Sequence, residues 1–182
     1  MASVGHIAVG MAASRIVNAS EPPSGGTMFF WSALSMLPDA DVIGFPLGVR
    51  YADEWGHRGA THSFVFAIVV GCAIGLFAPR FRAPALRTAF IASFVLLSHG
   101  LLDTLTDGGL GCALLWPFDR TRYFAPWRPI PVAPIGLAYL SPYGLSVAVT
   151  ELVIFAPLFI YALWPWLPTR RGTTSGRRNP TG

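Results

Sequence analysis

Apolar runs separated by short polar or proline-rich breaks dominate the chain. Residues 63–79 carry no charged side chain, and a second apolar run follows at residues 86–102, after a turn that contains arginines. A membrane-spanning helix needs about 20 predominantly apolar residues. The two runs therefore predict a helical hairpin that crosses a bilayer.

Three further apolar stretches, at residues 4–19, 27–37 and 144–167, extend this pattern. The first two are shorter than a full span, and the third contains Pro157, which predicts a kink. We therefore expect an all-α fold. It should be a polytopic membrane helical bundle with about four to five membrane segments, of which the first two are short.

The connection between residues 103 and 143 holds six prolines and many aromatic side chains. Proline disfavours a long helix, and Trp and Tyr are enriched where a membrane meets water, so this stretch predicts a Pro-rich interfacial loop. Residues 1–168 are expected to form a single membrane-embedded helical domain. Residues 169–182 are polar and predict a disordered cytoplasmic tail.

Composition supports a membrane protein and narrows its partners. Hydrophobic residues make up 53% and charged residues 12% of the 182 residues, with a mean hydropathy of +0.52, whereas soluble domains average about 25% charged residues. All 13 basic residues are arginines, and the net charge is +4. No basic stripe interleaved with aromatics appears, so we expect no nucleic-acid partner. The two cysteines do not predict a disulfide or a Cys-based metal site.

Charge predicts an orientation if each apolar segment crosses the membrane once. One face then holds eight arginines and Glu21, whereas the other holds five arginines and seven acids. Cytoplasmic loops are enriched in Lys and Arg, so the arginine-rich face, with the C-terminus, is expected to be cytoplasmic. The protein would then be a multi-pass protein of the inner (plasma) membrane, and the acidic face would look outward.

The acidic face also carries the polar chemistry. Residues 57–63, His-Arg-Gly-Ala-Thr-His-Ser, place His57, Arg58 and His62 at the start of the first long span. His99 and Asp103 are spaced i, i+4 at the end of the second span, which puts an imidazole and a carboxylate on one helix face. These groups are expected to lie at the same membrane level.

Asp39 and Asp41 end the second apolar stretch at this face, and His6 joins them if the first helix begins there. Two or three histidines with carboxylates suit a divalent metal: zinc, or manganese or iron as the carboxylate content rises. Taken singly, His99 could be a satisfied polar residue, and Asp39 and Asp103 could cap helices. Taken together they favour a metal site, because polar groups next to lipid are costly unless they are used.

These residues also carry a resemblance to a known family. It rests on His6, LPDAD at residues 37–41, HRGATHS at 57–63, HGLLDTLTDGG at 99–109 and WPF at 116–118. In this order they look like the YdjM-like family of inner-membrane proteins, which are described as metal-dependent hydrolases of poorly defined activity. The match runs from residue 6 to about residue 134.

The same order of residues is more distantly similar to zinc-dependent phospholipase C and the related single-strand nucleases, which are all-helical phosphodiesterases. That resemblance implies that Asp39, His62, His99 and Asp103 bind one metal, with His6 near a second. The chain lacks the further His and HxxxE ligands of those enzymes. One or two ions are therefore expected rather than three.

The resulting hypothesis is a metal-dependent hydrolase of a phosphoester, acting on a membrane lipid or a lipid-linked substrate. Arg58 is expected to stabilise developing negative charge, and Asp41 or Asp39 to act as the general base. His57 is expected to be a ligand, a proton shuttle or a partner of a ligand. Substrate binding and headgroup anchoring are equally expected for three loop arginines, Arg120, Arg122 and Arg128.

Two other functions stay open. A transporter for a divalent metal or for protons could use the same ligands, but transport needs polar groups through the membrane. Residues 64–79 and 88–98 offer none that ionise, which leaves Glu151. The second alternative is a non-catalytic protein in which a metal only holds the helices together, and it predicts a closed ligand shell.

Overall fold

The computed structural model of the protein describes residues 3–17 and 22–164. Six α-helices form within these residues: α1 (Ser3–Val17), α2 (Gly25–Met36), α3 (Phe64–Phe77), α4 (Ala85–Thr104), α5 (Pro142–Ile154) and α6 (Ala156–Leu163). No strand forms in this part of the chain, where β-pairing is limited to the bridges Thr106–Ile130 and Cys112–Tyr123. The expectation of an all-α fold is confirmed for the described residues.

Two helical segments are long and apolar enough to cross a membrane, namely Phe64–Phe81 and Ala85–Thr104. The pair α5–α6 would make a third span if its two helices cross together. With 15 and 12 residues, α1 and α2 reach only about 22 Å and 18 Å, below the roughly 30 Å of a hydrocarbon core. The structure therefore supports two or three spans, short of the four to five predicted.

The hairpin of α3 and α4 packs through small residues. Gly71 and Gly75 are one turn apart on α3, and a side chain at either position would collide with Ser93 or Ala89 of α4. Such a small-xxx-small spacing lets two membrane helices approach closely. The approach increases their van der Waals contact, which drives association in lipid, where the hydrophobic effect does not. This close approach fixes the start of α3 beside the end of α4.

The α1–α2 pair lies against this hairpin. Trp31 and Leu34 of α2 are buried in one apolar cluster with residues of α1, α3 and α4. A second cluster joins Ala8 of α1 to Ile130 of the long loop and Phe155 at the α5–α6 junction. The N-terminal half of α1 is thereby enclosed between the hairpin and the last two helices.

The predicted kink in the last apolar stretch is present. The helices α5 and α6 meet at Phe155 with a bend of 62°. Pro157 lies at the start of α6 and has no N–H to continue the hydrogen-bond ladder of α5.

Irregular segments make up most of the rest. An 11-residue 3₁₀ segment, Leu37–Leu47, follows α2 directly. Residues 105–141 contain only the short 3₁₀ helix Gly136–Leu140, which agrees with the expected Pro-rich loop. The predicted tail, residues 169–182, lies outside the described residues, as does Glu21.

Candidate metal centre

Four side chains from three parts of the chain converge at one point. His99 and Asp103 come from successive turns of α4, His62 from the 3₁₀ turn before α3, and Asp39 from the segment after α2. Each offers one ligand atom, and the four atoms lie within 4.8 Å of one another. All four residues are buried, with between 0% and 4% of their surface exposed.

The spacing of these atoms fits a small tetrahedral cation. The Nε2 atoms of His62 and His99 are 3.1 Å apart. Asp39 Oδ1 lies 3.5 Å from His62 Nε2 and 3.3 Å from His99 Nε2, and Asp103 Oδ2 lies 3.6 Å from His62 Nε2. In a tetrahedral zinc site with bonds of about 2.0–2.1 Å, ligand atoms are roughly 3.3–3.4 Å apart. The four groups could therefore hold one metal ion.

The Nδ1 atoms of both imidazoles have hydrogen-bond partners, which direct the Nε2 atoms toward the centre of the site. His99 Nδ1 donates to the Ser35 carbonyl oxygen at 2.7 Å, because a carbonyl can only accept. His62 Nδ1 lies 3.0 Å from the Thr61 hydroxyl, which itself donates to Asp41 Oδ2 at 2.8 Å. The two Nε2 atoms then face each other, an arrangement that is satisfied by a proton on one of them or by a cation between them.

The charges of the side chains around His62 also favour a bound cation. Among the described residues, the carboxylates of Asp39, Asp41 and Asp103 surround His62, and the guanidinium of Arg58 contacts Asp103. Neither oxygen of Asp39 receives a well-aligned hydrogen bond from the described residues. Buried carboxylates of this kind favour a cation between them, either a proton on His62 or a metal ion.

The pKa of His62 reflects this excess of carboxylate. Burial alone would lower that pKa, but hydrogen bonds with Asp103, Asp39 and Asp41 raise it to about 10. Without a metal, the carboxylates therefore hold a proton on this imidazole. A divalent ion would replace that proton, as metal binding to histidine generally does.

Asp41 contacts the residues around His62 without belonging to the four candidate ligands. Its Oδ1 accepts from His57 Nδ1 at 2.8 Å, and its Oδ2 accepts from Thr61 Oγ1 and from the Arg58 backbone N–H at 3.2 Å. Burial would raise the pKa of Asp41, but hydrogen bonds from His57 and His62 lower it to about 2. So weak a base with every oxygen engaged is better suited to orienting His62 than to abstracting a proton.

Replacing Asp41 by Asn is expected to weaken metal binding by about 10–100-fold, because the charged partner that aligns His62 is lost. Competition with a chromophoric chelator on purified protein measures the affinity. Asp119→Asn serves as the control, since the Asp119 carboxylate accepts from Tyr123 outside the centre. An Asp41→Asn protein with wild-type affinity would remove Asp41 from the site.

Arg58 is a buried cation next to the ligands. Its backbone has φ of 65°, an uncommon value for a residue with a side chain. Nε lies 3.0 Å from Asp103 Oδ2, although off the line of a hydrogen bond, and NH1 donates to the Gly108 carbonyl at 2.9 Å. NH2 is buried and has no hydrogen-bond partner among the described residues. This nitrogen is available to an anion.

His6 lies at the edge of the centre. Its ring stacks on that of His99 at 3.6 Å between centroids, and its Nε2 is 3.3 Å from Asp103 Oδ1. The start of α1 is fixed by Glu151 of α5, whose Oε2 accepts from the Val4 and Gly5 amides at 2.7 and 3.1 Å. His6 is thereby pressed against two ligands, and its own role as a ligand stays a prediction.

The three loop arginines do not converge on the ligands. Arg120 pairs with Glu54 at the surface at 2.6 Å, and Arg128 lies over the Phe124 ring. Arg122 donates to the carbonyls of Tyr51, Asp53 and His57, so it braces the backbone that leads into the site. Their role in substrate binding stays a prediction.

Three groups that shape the site were not predicted from the sequence. One is the hydroxyl of Thr61, which lies within the HRGATHS motif between residues with stronger metal-binding chemistry. Ser35 and Gly108 act through backbone carbonyls, which every residue carries, so no residue type could have indicated them.

Comparison with known proteins agrees with the motifs. A family model described as "YdjM inner membrane protein" matches residues 1–172. The inner membrane protein YbcI of Escherichia coli (strain K12) is 46% identical over 143 residues, which cover 78% of this chain and 77% of that protein. No solved structure gives a significant match. The resemblance drawn from the sequence is confirmed, and the chain belongs to the YdjM family of inner membrane proteins.

Proposed function

We propose that the protein is a membrane-bound metal-dependent hydrolase of a phosphoester or lipid-like substrate. The observation that carries the proposal is the buried set of Asp39, His62, His99 and Asp103, with the Nε2 atoms of the two imidazoles facing each other at 3.1 Å. Two imidazoles and two carboxylates at tetrahedral spacing favour zinc, with manganese or iron as alternatives. A bound ion of this kind lowers the pKa of a water ligand toward ~7 and stabilises charge on a phosphoryl oxygen.

Arg58 supports an anionic substrate. A guanidinium in a buried site with a free N–H binds a phosphoryl oxygen strongly, because little water screens the interaction. Its Nε and NH1 are held by Asp103 and Gly108, so NH2 is fixed in direction before a substrate arrives. Such preorganised donors contribute most when charge develops on the substrate.

His57 and Asp41 orient the centre in this proposal. His57 Nδ1 donates to Asp41 Oδ1, which keeps Asp41 Oδ2 turned toward Thr61 and His62. The proposed role of His57 is therefore to act through Asp41 on a ligand rather than to bind the metal. This replaces the general-base role of Asp41 with a positioning role.

A structural metal site is the second candidate. It is favoured by the number of protein ligands, since four buried groups at tetrahedral spacing form the closed shell typical of structural zinc. A catalytic role needs the ion to accept a water as a further ligand. Transport is less well supported, because Glu151 is committed to the N–H groups of α1.

A hydrolysis screen separates the two candidates. Purified protein that holds about one equivalent of metal is expected to hydrolyse at least one of two substrates, a phospholipid or bis(p-nitrophenyl) phosphate, and to lose this activity reversibly on chelation. Loss of thermal stability on chelation, with no turnover of either substrate by the loaded protein, would replace the hydrolase by the structural site.

The proposal includes a topology of four to five membrane segments, with the C-terminus cytoplasmic and the centre facing outward. The arginines of the α3–α4 turn and the acids at the opposite ends of these helices support it. In a protein freed of native cysteines, Arg128→Cys should react with an impermeant maleimide in spheroplasts, whereas Arg82→Cys should react only after lysis. The reverse pattern would invert the orientation.

A further inference from the structure

An apolar groove runs between α1 and α4, from the start of α4 to Ser98. It has a volume of about 430 Å³ and is lined mainly by Val9 and Ala12 of α1, Phe90 and Phe94 of α4, and Leu158 of α6. Ser98 lines the end nearest the C-terminus of α4, where its hydroxyl donates to the Val95 carbonyl. No polar group in this lining is left to bind water.

The groove lies along a span and opens to its exposed side. Phe90 and Phe94 are 73% and 63% exposed, so they face the hydrocarbon region in a membrane. From Phe90 to Ser98 the groove extends about 12 Å along the axis of α4. An apolar channel of this length in contact with lipid suits a hydrocarbon chain rather than a polar ligand.

The end of the groove at the start of α4 is positively charged. Arg87, one turn before Phe90, is exposed and donates through NH2 to the Ile16 carbonyl at 2.7 Å. Arg15 donates through NH1 to the carbonyls of Tyr161 and Trp164, also at 2.7 Å. Arg80 and Arg82 lie in the turn before α4, and no acid occurs in residues 3–17 or 78–102. This end would attract an anionic headgroup.

We propose that this groove binds one anionic phospholipid, with an acyl chain between α1 and α4 and the phosphate at Arg87. The phosphate end of this site is separate from the metal centre, since Arg87 and Asp103 are 16 residues, or about 24 Å, apart along α4. It therefore holds whether or not the protein is a hydrolase. A lipid there would fill the gap between the two helices that carry His6 and His99.

Native mass spectrometry of the full-length protein, exchanged into micelles with equal amounts of phosphatidylglycerol and phosphatidylcholine, tests the proposal. The wild type is expected to retain one phosphatidylglycerol in preference to phosphatidylcholine. Arg87→Gln should reduce this retention about fivefold, which corresponds to about 1 kcal/mol for one interfacial arginine. Ala12→Phe, which fills the groove, should reduce retention of both lipids.

Arg80→Gln is the matched control, because it removes the same charge from the adjacent turn without touching the groove. Equal retention of the two lipids, or an equal loss in Arg80→Gln and Arg87→Gln, would overturn the proposal. A dimer that Ala12→Phe disrupts would also overturn it, since the groove would then hold a second copy of the chain. Arg87→Gln changes an exposed residue, so it decides the question even if Ala12→Phe does not fold.

Discussion

Protein with Asp39 replaced by Asn is expected to purify with less than about a tenth of the wild-type metal content. The substitution keeps the shape of the side chain but removes the one carboxylate whose two oxygens both lack a well-aligned donor among the described residues. The loss should exceed the 10–100-fold weakening typical of a residue that only orients a ligand, because Asp39 Oδ1 belongs to the ligand set itself.

Elemental analysis after removal of free metal gives the stoichiometry of this variant. Asp53→Asn is the matched control: Asp53 lies in the loop at the same end of the molecule but pairs with exposed Arg50. Its metal content should equal that of the wild type. If Asp39→Asn retains a full equivalent of metal, the four-residue centre is wrong.

Replacing Arg58 by Leu is expected to lower the free energy of unfolding by about 3–5 kcal/mol. Removing one partner of a buried ion pair is strongly destabilising, and both side chains of the Arg58–Asp103 pair are fully buried. Thermal unfolding in detergent, compared with the exposed control Arg50→Leu, measures the effect. An Arg58→Leu protein as stable as the control would show that the ion pair contributes nothing.

Arg58→Lys separates stability from activity. Lysine keeps the positive charge near Asp103, so most of the stability should remain. Lysine lacks the planar guanidinium, in which NH1 donates to the Gly108 carbonyl while NH2 keeps a fixed direction. Hydrolysis, once a substrate is identified, should fall by about 10²–10³-fold with metal content unchanged. Wild-type turnover in Arg58→Lys would assign Arg58 a purely structural role.

Helical spacing made the core of the centre predictable from sequence. His99 and Asp103 are four residues apart in a run that had to be helical, so their side chains had to share a face. The apolar runs on either side then brought His62 to the same level. Only the resemblance to known metalloenzymes, and not the spacing, indicated that Asp39 rather than Asp41 would join them.

The roles of the other polar residues depend on side-chain direction, which the sequence does not carry. Asp39 and Asp41 are two residues apart in a 3₁₀ segment, and one faces the ligands while the other faces His57 and Thr61. For the loop arginines, position in the chain predicted substrate binding and headgroup anchoring equally. The donation of Arg122 to backbone carbonyls depends on side-chain direction and has no signal in the sequence.

The number of spans is not fixed by apolar composition alone. Composition shows that a segment avoids water, but α1 and α2 also pack in a bundle with the hairpin. Helices of 15 and 12 residues are short for a full span, so the four to five segments of the proposal depend on the charge distribution as well as on length.

The bond between Glu151 and the start of α1 has a consequence for how the protein is made. The two partners are 147 residues apart, so α1 leaves the ribosome long before its anchor exists. At synthesis rates of about 5–20 residues per second, the delay is on the order of 7–30 seconds. During that interval His6 has no fixed place against Asp103. The centre can reach its final form only when α5 has entered the bundle, which makes insertion of the last apolar segment the step that completes the site.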